Sequence, residues 1–182
     1  ESIKKKNYKI VVDAANSTGG IAVPKLLETL GVDVVYLYCD PTGIFLHNPE
    51  SLKENIYDLS NLVIKEGANL GIVVDPDVDR LAFVCENGDV FGEEYTLVAC
   101  SDYVLSLQPG STVSNLSSTR ALNDISNRYN CEYNSSAVGE VNVVEMMKKS
   151  NAIDGGGGNG GIMLTQQQYE RDTVLRIGLF LN

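Results

Sequence analysis

The sequence lacks the features by which several classes of protein are recognised. Its longest basic run is Lys4-Lys5-Lys6 and its net charge is −10, whereas nucleic-acid binding requires a concentrated basic face. Its four cysteines have no paired spacing, so neither a zinc site nor a disulfide framework is predicted. No apolar run approaches the ~20 residues of a membrane span, and no signal-peptide pattern opens the sequence. We therefore expect a cytoplasmic protein that binds neither nucleic acid nor membranes.

What is present is the composition of an ordinary globular protein. Hydrophobic residues make up 43% of the 182 residues and charged residues 21%, which is typical of folded soluble domains. This length is enough for one large core or two smaller ones. The excess of acidic residues suits solubility and cation binding.

Strands and helices alternate along the chain, and their order occurs twice. In the first half, strands are predicted at 8–13, 32–38, 70–74, 81–85 and 90–91, and helices from about 20 to 30 and at 52–66. The second half has predicted helices at 93–107, 120–129, 141–149 and 172–181, and strands at 112–116, 131–134, 152–153 and 162–164. This alternation predicts an α/β protein with two similar three-layer α/β/α domains, residues 1–92 and 93–182, each with a mixed, mostly parallel sheet.

An acidic stretch follows the third predicted strand. Residues 75–80 read Asp-Pro-Asp-Val-Asp-Arg, directly after an apolar run, and Pro76 favours a loop because it cannot donate to a sheet ladder. Three carboxylates this close repel one another, and a bound cation would relieve that repulsion. Their hard oxygen ligands suit Mg²⁺ or Ca²⁺. Loops at the carboxyl ends of strands are also where open α/β sheets bind ligands, so Asp75, Asp77 and Asp79 are predicted metal ligands.

Three other structures could account for this loop: an EF-hand, a phosphatase active site and a solvated acidic turn. An EF-hand is excluded because Arg80 occupies the position that requires glycine, and strands flank the loop in place of helices. A phosphatase of the haloacid-dehalogenase type, with Asp75 as nucleophile, stays open, although Asp79 then stands where threonine or valine is expected. An acidic turn on a solvated surface explains the charge but not three alternating carboxylates after a buried strand.

A glycine-rich run occupies the corresponding place in the second half. Residues 154–161 read Asp-Gly-Gly-Gly-Gly-Asn-Gly-Gly, and glycine allows the backbone to approach a ligand closely. No Lys-Ser/Thr pair follows, so the run is not a P-loop. The only histidine, His47, lies in a predicted loop and is interpreted as structural.

Taken together, these motifs resemble the α-D-phosphohexomutase family, which includes phosphoglucomutase, phosphomannomutase and phosphoglucosamine mutase. The resemblance covers nearly the whole chain and rests on residues 9–16, 45–50, 75–80, 138–142, 155–161 and 169–172. Family members have four domains, and this chain resembles the second and third. The first and fourth, which carry the phosphoserine and the phosphate-binding loop, would be further parts of the same polypeptide.

The resemblance implies roles for individual residues. Asp75, Asp77 and Asp79 would hold Mg²⁺, and Arg80 would act in catalysis by positioning the phosphoserine. That serine would pass its phosphoryl group to a hexose phosphate, and the bisphosphate would reorient and return the other phosphate. The sugar hydroxyls would be recognised by Gly156, Gly157, Gly158 and Asn159.

Two departures from the family pattern concern the sugar. The family loop reads Gly-Gly-Glu-Gly-Asn-Gly-Gly, and Gly157 stands in place of its glutamate. Gln168 stands where the family has histidine in a Pro-Glu-x-His-Tyr-Gly-Arg-Asp segment. The resemblance thus predicts that the full-length protein is an Mg²⁺-dependent phosphohexomutase and that this chain, as a fragment of it, is inactive by itself. A metal- or sugar-phosphate-binding module that has lost catalysis is the non-enzyme alternative.

Overall fold

The computed structural model describes residues 2–49, 54–157, 161–165 and 172–182. The chain divides into two compact units, Glu1–Gly92 with Leu181–Asn182, and Glu93–Phe180. Among the described helices, none combines the length and apolar character that a bilayer span requires.

The first unit is a four-stranded sheet with two α-helices. After a short 3₁₀ helix, Ile3–Lys6, its elements are β1 (Lys9–Asp13), α1 (Gly19–Thr29), β2 (Asp33–Leu37), α2 (Tyr57–Glu66), β3 (Leu70–Val74) and β4 (Leu81–Cys85). The strand order is β2-β1-β3-β4. Strand β1 runs parallel to β2 and β3, and β4 is antiparallel to β3.

The core of this unit is formed by a buried strand and by one face of a helix that packs on the sheet. Strand β3 is buried on both faces, so it reads as a continuous apolar run. Helix α2 buries Leu59 and Val63 against the sheet, four residues apart on one helical face. Gly67 ends α2 in the left-handed conformation, at φ +57°, which glycine adopts at little cost.

The second unit repeats this plan. Its elements are α3 (Glu93–Leu107), β5 (Thr112–Asn115), α4 (Ala121–Arg128), β6 (Tyr133–Ser136), α5 (Glu140–Ser150), β7 (Asp154–Gly156), β8 (Ile162–Leu164) and α6 (Thr173–Phe180). The strand order is β6-β5-β7-β8, with β8 antiparallel to β7 and the other pairs parallel. The predicted fold class, α/β with two mixed and mostly parallel sheets, is confirmed.

Several predicted boundaries were wrong. The strand predicted at 152–153 is β7, two residues later, so the first glycines of the run belong to a strand. Strand β6 is likewise later than predicted, at Tyr133–Ser136. Helix α2 begins at Tyr57, after described turn residues 54–55; the start predicted at residue 52 lies outside the described residues. The strand predicted at 90–91 is a single bridge between Val84 and Val90.

The shift of β7 has a packing cause. Gly155 pairs with Val113 in the middle of the sheet, and a Cβ at this position would lie 2.7 Å from Met147 Sδ of α5. The glycine therefore lets α5 approach the sheet closely. From the sequence alone, a glycine with this role in a strand looks the same as a glycine in a flexible loop.

Candidate metal site and its surroundings

Two acidic residues leave the first sheet at the same edge. Strands β1 and β3 are parallel neighbours, and Asp13 at the end of β1 is in register with Val73. Asp75 follows β3 directly, and both carboxylates are nearly fully buried. Two buried carboxylates thus lie at the carboxyl edge of this sheet.

The acidic loop brings its three carboxylates together. Oxygen atoms of Asp75, Asp77 and Asp79 lie within 4.8 Å of one another, with Asp75 buried, Asp77 exposed and Asp79 between these extremes. The backbone fixes this arrangement, because Asp75 Oδ1 accepts hydrogen bonds from the N–H groups of Asp79 at 3.1 Å and Arg80 at 3.0 Å. The loop therefore curls around the buried carboxylate.

Val78 lies at the centre of this turn in an unusual conformation. Its φ is +61°, and a β-branched residue rarely adopts the left-handed region. Its N–H donates to the Asp75 carbonyl at 3.1 Å, which closes the turn. The sequence gives no sign of this strain, which the surrounding contacts must offset.

The electrostatics of the loop favour a cation. Burial, with a further contribution from the Asp79 and Asp77 carboxylates, raises the pKa of Asp75 to about 6, and the hydrogen bond from the Arg80 N–H opposes this rise. The Arg80 guanidinium relieves little of this repulsion, since its Nε lies 3.7 Å from Asp75 and 3.9 Å from Asp79 and the side chain is half exposed. Three clustered carboxylates with hard oxygen donors fit Mg²⁺.

His47 contacts Asp13 at the carboxyl edge of the first sheet, which the sequence did not predict. His47 Nε2 lies 3.0 Å from Asp13 Oδ2, and its Nδ1 lies 2.8 Å from the Asn48 carbonyl oxygen. The sequence predicts a structural role for His47 but does not identify this partner. Since 34 positions separate it from Asp13, no local pattern could have shown the pair.

The predicted sugar-binding residues lie in the second unit and are described in part. Gly156 is a buried residue of β7, and a Cβ there would lie 2.0 Å from the Gly161 carbonyl oxygen. Gly157 is buried and its N–H donates to the same oxygen at 3.3 Å. Gly158, Asn159 and Gln168 lie outside the described residues. The described part of the run is therefore a tight, backbone-paired entry to the loop.

Asp154, the first residue of β7, is a second feature that the sequence did not reveal. It is fully buried, and among the described residues neither of its carboxylate oxygens has a hydrogen-bond partner. Burial raises its pKa to about 7, although the nearby Ser101 hydroxyl and Gly155 N–H lower it. An aspartate between glycines and apolar residues carries no sequence signal of burial.

Comparison with known families accounts for both units. The model of phosphoglucomutase/phosphomannomutase α/β/α domain II matches residues 1–88, and that of domain III matches residues 92–182. The chain belongs to the phosphoglucomutase/phosphomannomutase family. The acidic loop is thus part of a family domain II, and the glycine run part of a family domain III.

Individual members of the phosphoglucomutase/phosphomannomutase family agree with this assignment. A phosphoglucomutase/phosphomannomutase of Thermococcus kodakarensis is 33% identical over 94% of this chain and 38% of its own length. A probable phosphoglucosamine mutase of Pyrococcus horikoshii is 32% identical over 97% of this chain and 40% of its own length. The chain therefore spans about two fifths of the length of these relatives.

Solved structures show the same fold. A family protein of Burkholderia thailandensis superposes with a TM-score of 0.85 at 26% identity, over 97% of this chain and 40% of the other. A putative phosphomannomutase of Thermus thermophilus gives a TM-score of 0.90 at 22% identity, over 99% of this chain and 42% of the other. The latter likeness concerns the fold alone.

Proposed function

We propose that the chain forms the two middle domains of an Mg²⁺-dependent phosphohexomutase, which interconverts hexose 1- and 6-phosphates. The observation that carries this proposal is the carboxylate cluster of Asp75, Asp77 and Asp79 within 4.8 Å. Family membership supports it, because relatives named phosphoglucomutase, phosphomannomutase and phosphoglucosamine mutase all match this chain.

Each residue of the acidic loop has a separate task in this proposal. The three aspartates hold the metal, and the two N–H bonds to Asp75 Oδ1 leave its Oδ2 as the atom that ligates. Bound Mg²⁺ supplies charge neutralisation for a transferring phosphoryl group. Arg80, half exposed beside two of the ligands, presents a guanidinium to the phosphoserine, because guanidinium matches phosphate geometry.

The phosphoserine belongs to the first domain of the parent polypeptide, and the loop that binds the substrate phosphate belongs to the fourth. Coverage of about two fifths of the relatives' length supports this division. Gly156 to Asn159 contribute to hexose recognition, where the glutamate of the family pattern is replaced by Gly157. The chain by itself is expected to bind Mg²⁺ and to show no mutase turnover.

Isothermal titration calorimetry, which measures Mg²⁺ affinity, tests the metal site. Asp79→Asn is expected to weaken binding at least tenfold, because it removes one of three anionic ligands. Asp33→Asn, which removes an exposed charge on β2, is the matched control and should bind as the native chain does. Equal binding by all three chains contradicts the proposal.

A turnover assay tests the division of labour. The chain is incubated with Mg²⁺, glucose 1-phosphate and glucose 1,6-bisphosphate, and no glucose 6-phosphate is expected. Conversion by the 182-residue chain overturns the need for an external phosphoserine. Formation of a beryllofluoride adduct on Asp75, seen by ¹⁹F NMR, supports the aspartate-nucleophile phosphatase in place of the mutase.

A further inference from the structure

Both ring nitrogens of His47 face an oxygen atom. Nδ1 faces the Asn48 carbonyl oxygen at 2.8 Å, and Nε2 faces Asp13 Oδ2 at 3.0 Å. Burial raises the pKa of Asp13, and the His47 contact opposes that rise. Neutral imidazole has one N–H, so when Asp13 is ionised only the imidazolium ion donates to both acceptors. The ring is largely enclosed, with 12% of the side chain exposed, so water replaces neither partner readily.

The charged groups around this pair are mainly acidic. Asp13 on β1 and Asp58 on α2 both act on His47. Burial opposes the charged ring, but the bond to Asn48 and the Asp13 carboxylate outweigh it and raise the pKa of His47. Cys39 lies near Asp13, and the Tyr38 ring centroid lies 5.6 Å from that of His47. The Tyr38 hydroxyl donates to Asp58 at 2.7 Å.

The same pair holds a strained turn. The second oxygen of Asp13, Oδ1, accepts the Ala15 N–H at 2.9 Å. Ala15 and Asn16 have φ values of +48° and +52°. Asparagine tolerates this region, but alanine adopts it only when its surroundings enforce it. Asn16 in turn bonds the loop before His47, with its Nδ2 donating to the Ile44 carbonyl at 3.0 Å.

This turn packs directly on the acidic loop. The Thr18 hydroxyl donates to the Pro76 carbonyl at 3.4 Å. At Gly19, an added Cβ would lie 2.6 Å from Val74 and 3.4 Å from Val78, so the backbone touches the loop where Val78 is strained. The turn therefore contacts the segment that carries the carboxylates at both Pro76 and Val78.

We propose that the Asp13–His47 pair is a positioning element of the metal site, with the imidazolium form of His47 bracing the turn on which the acidic loop packs. The inference rests on the proposed metal site. Loss of the proton removes one of the two ring hydrogen bonds and loosens the turn. The contribution of this pair to metal affinity is therefore lost as pH rises through the pKa of His47.

The direction in which Mg²⁺ shifts the pKa of His47 distinguishes positioning of the loop from simple charge repulsion. If the imidazolium form favours the metal-ready loop, Mg²⁺ must raise the pKa of His47 by the same coupling. A twofold coupling corresponds to a rise of about 0.3 in that pKa. Direct repulsion between the two cations acts oppositely and lowers it.

The decisive experiment is an NMR pH titration of His47, with and without saturating Mg²⁺. The tag-free chain has one histidine, so its ring signals need no assignment. We expect Mg²⁺ to raise the pKa of His47, and Asp79→Asn to abolish the rise. A lowered or unchanged pKa, together with Mg²⁺-induced amide shifts in the acidic loop, overturns this inference alone. Absence of those amide shifts overturns the proposed metal site as well.

A variant separates positioning from a general loss of structure. His47→Gln cannot carry the charge, so its Mg²⁺ affinity should fall about twofold or more below that of the native chain at pH 6.5 and equal it at pH 9. An equal deficit at both pH values indicates that His47 only supports the fold, and overturns the proposal. Equal affinity at both values overturns it too.

Discussion

The buried carboxyl of Asp154 should make the chain less stable as pH rises. In the unfolded chain this group has its ordinary pKa of 3.8, and in the folded chain burial raises the pKa to about 7. Between these values the folded state holds a proton that the unfolded state has released. Stability contributed by this group is therefore present below pH 3.8 and is lost as pH rises toward 7.

The size of the effect follows from the two values. Each pKa unit corresponds to about 1.4 kcal/mol, so ionising Asp154 costs at most about 4 kcal/mol of unfolding free energy above pH 7. Asp154→Asn removes the ionisation with little change in volume, but leaves a buried amide short of partners at about 1–3 kcal/mol. We expect a net gain of about 1–3 kcal/mol at pH 8 and no gain at pH 4.5.

Urea unfolding followed by circular dichroism between pH 4.5 and 8 measures this difference. Asp33→Asn, which also removes one negative charge but from an exposed site on β2, controls for the reduced net charge. If Asp154→Asn and the native chain lose stability in parallel as pH rises, ionisation of Asp154 does not cause the loss. The same holds if Asp33→Asn gives the same gain as Asp154→Asn.

Two further predictions concern glycines. Gly20→Ala in α1 should destabilise the chain by about 2–4 kcal/mol, since its Cβ would lie 2.1 Å from the Cys39 carbonyl oxygen. Gly178→Ala in α6, where a Cβ meets nothing within 4 Å, should instead stabilise it by up to about 1 kcal/mol; thermal unfolding measures both, and similar effects would contradict the packing at Gly20. Gly157→Glu in the full-length parent should increase hexose-phosphate affinity several-fold in a calorimetric titration. Unchanged affinity would count against a simple lost contact.

Local patterns in the sequence predicted the part of the site that is local in the chain. The acidic loop was predicted because an apolar strand, a proline and three alternating carboxylates are adjacent. The cap of α6 is equally local, since Asp172 Oδ1 accepts the Leu175 N–H at 2.9 Å. Such features depend on neighbours within a few residues.

The remaining features depend on distant contacts. The Asp13–His47 pair joins the end of β1 to a loop beyond β2. The strand β7 begins in a glycine run because Met147 needs the space beside Gly155. The burial of Asp154 results from the packing of α3 and β7, where Ser101 lies close to its carboxyl. Tertiary packing thus overrode the local preference of these residues.

The proposed function depends on Asp75, Asp77 and Asp79 together holding a divalent cation. A crystal of the chain grown with Mn²⁺, a surrogate that accepts the same hard oxygen ligands and scatters anomalously, tests it most directly. We expect one anomalous peak at about 2.2 Å from oxygens of all three aspartates, with Asp75 contributing Oδ2. Absence of a peak in this loop at saturating Mn²⁺, or a peak held by a single exposed carboxylate, would contradict it.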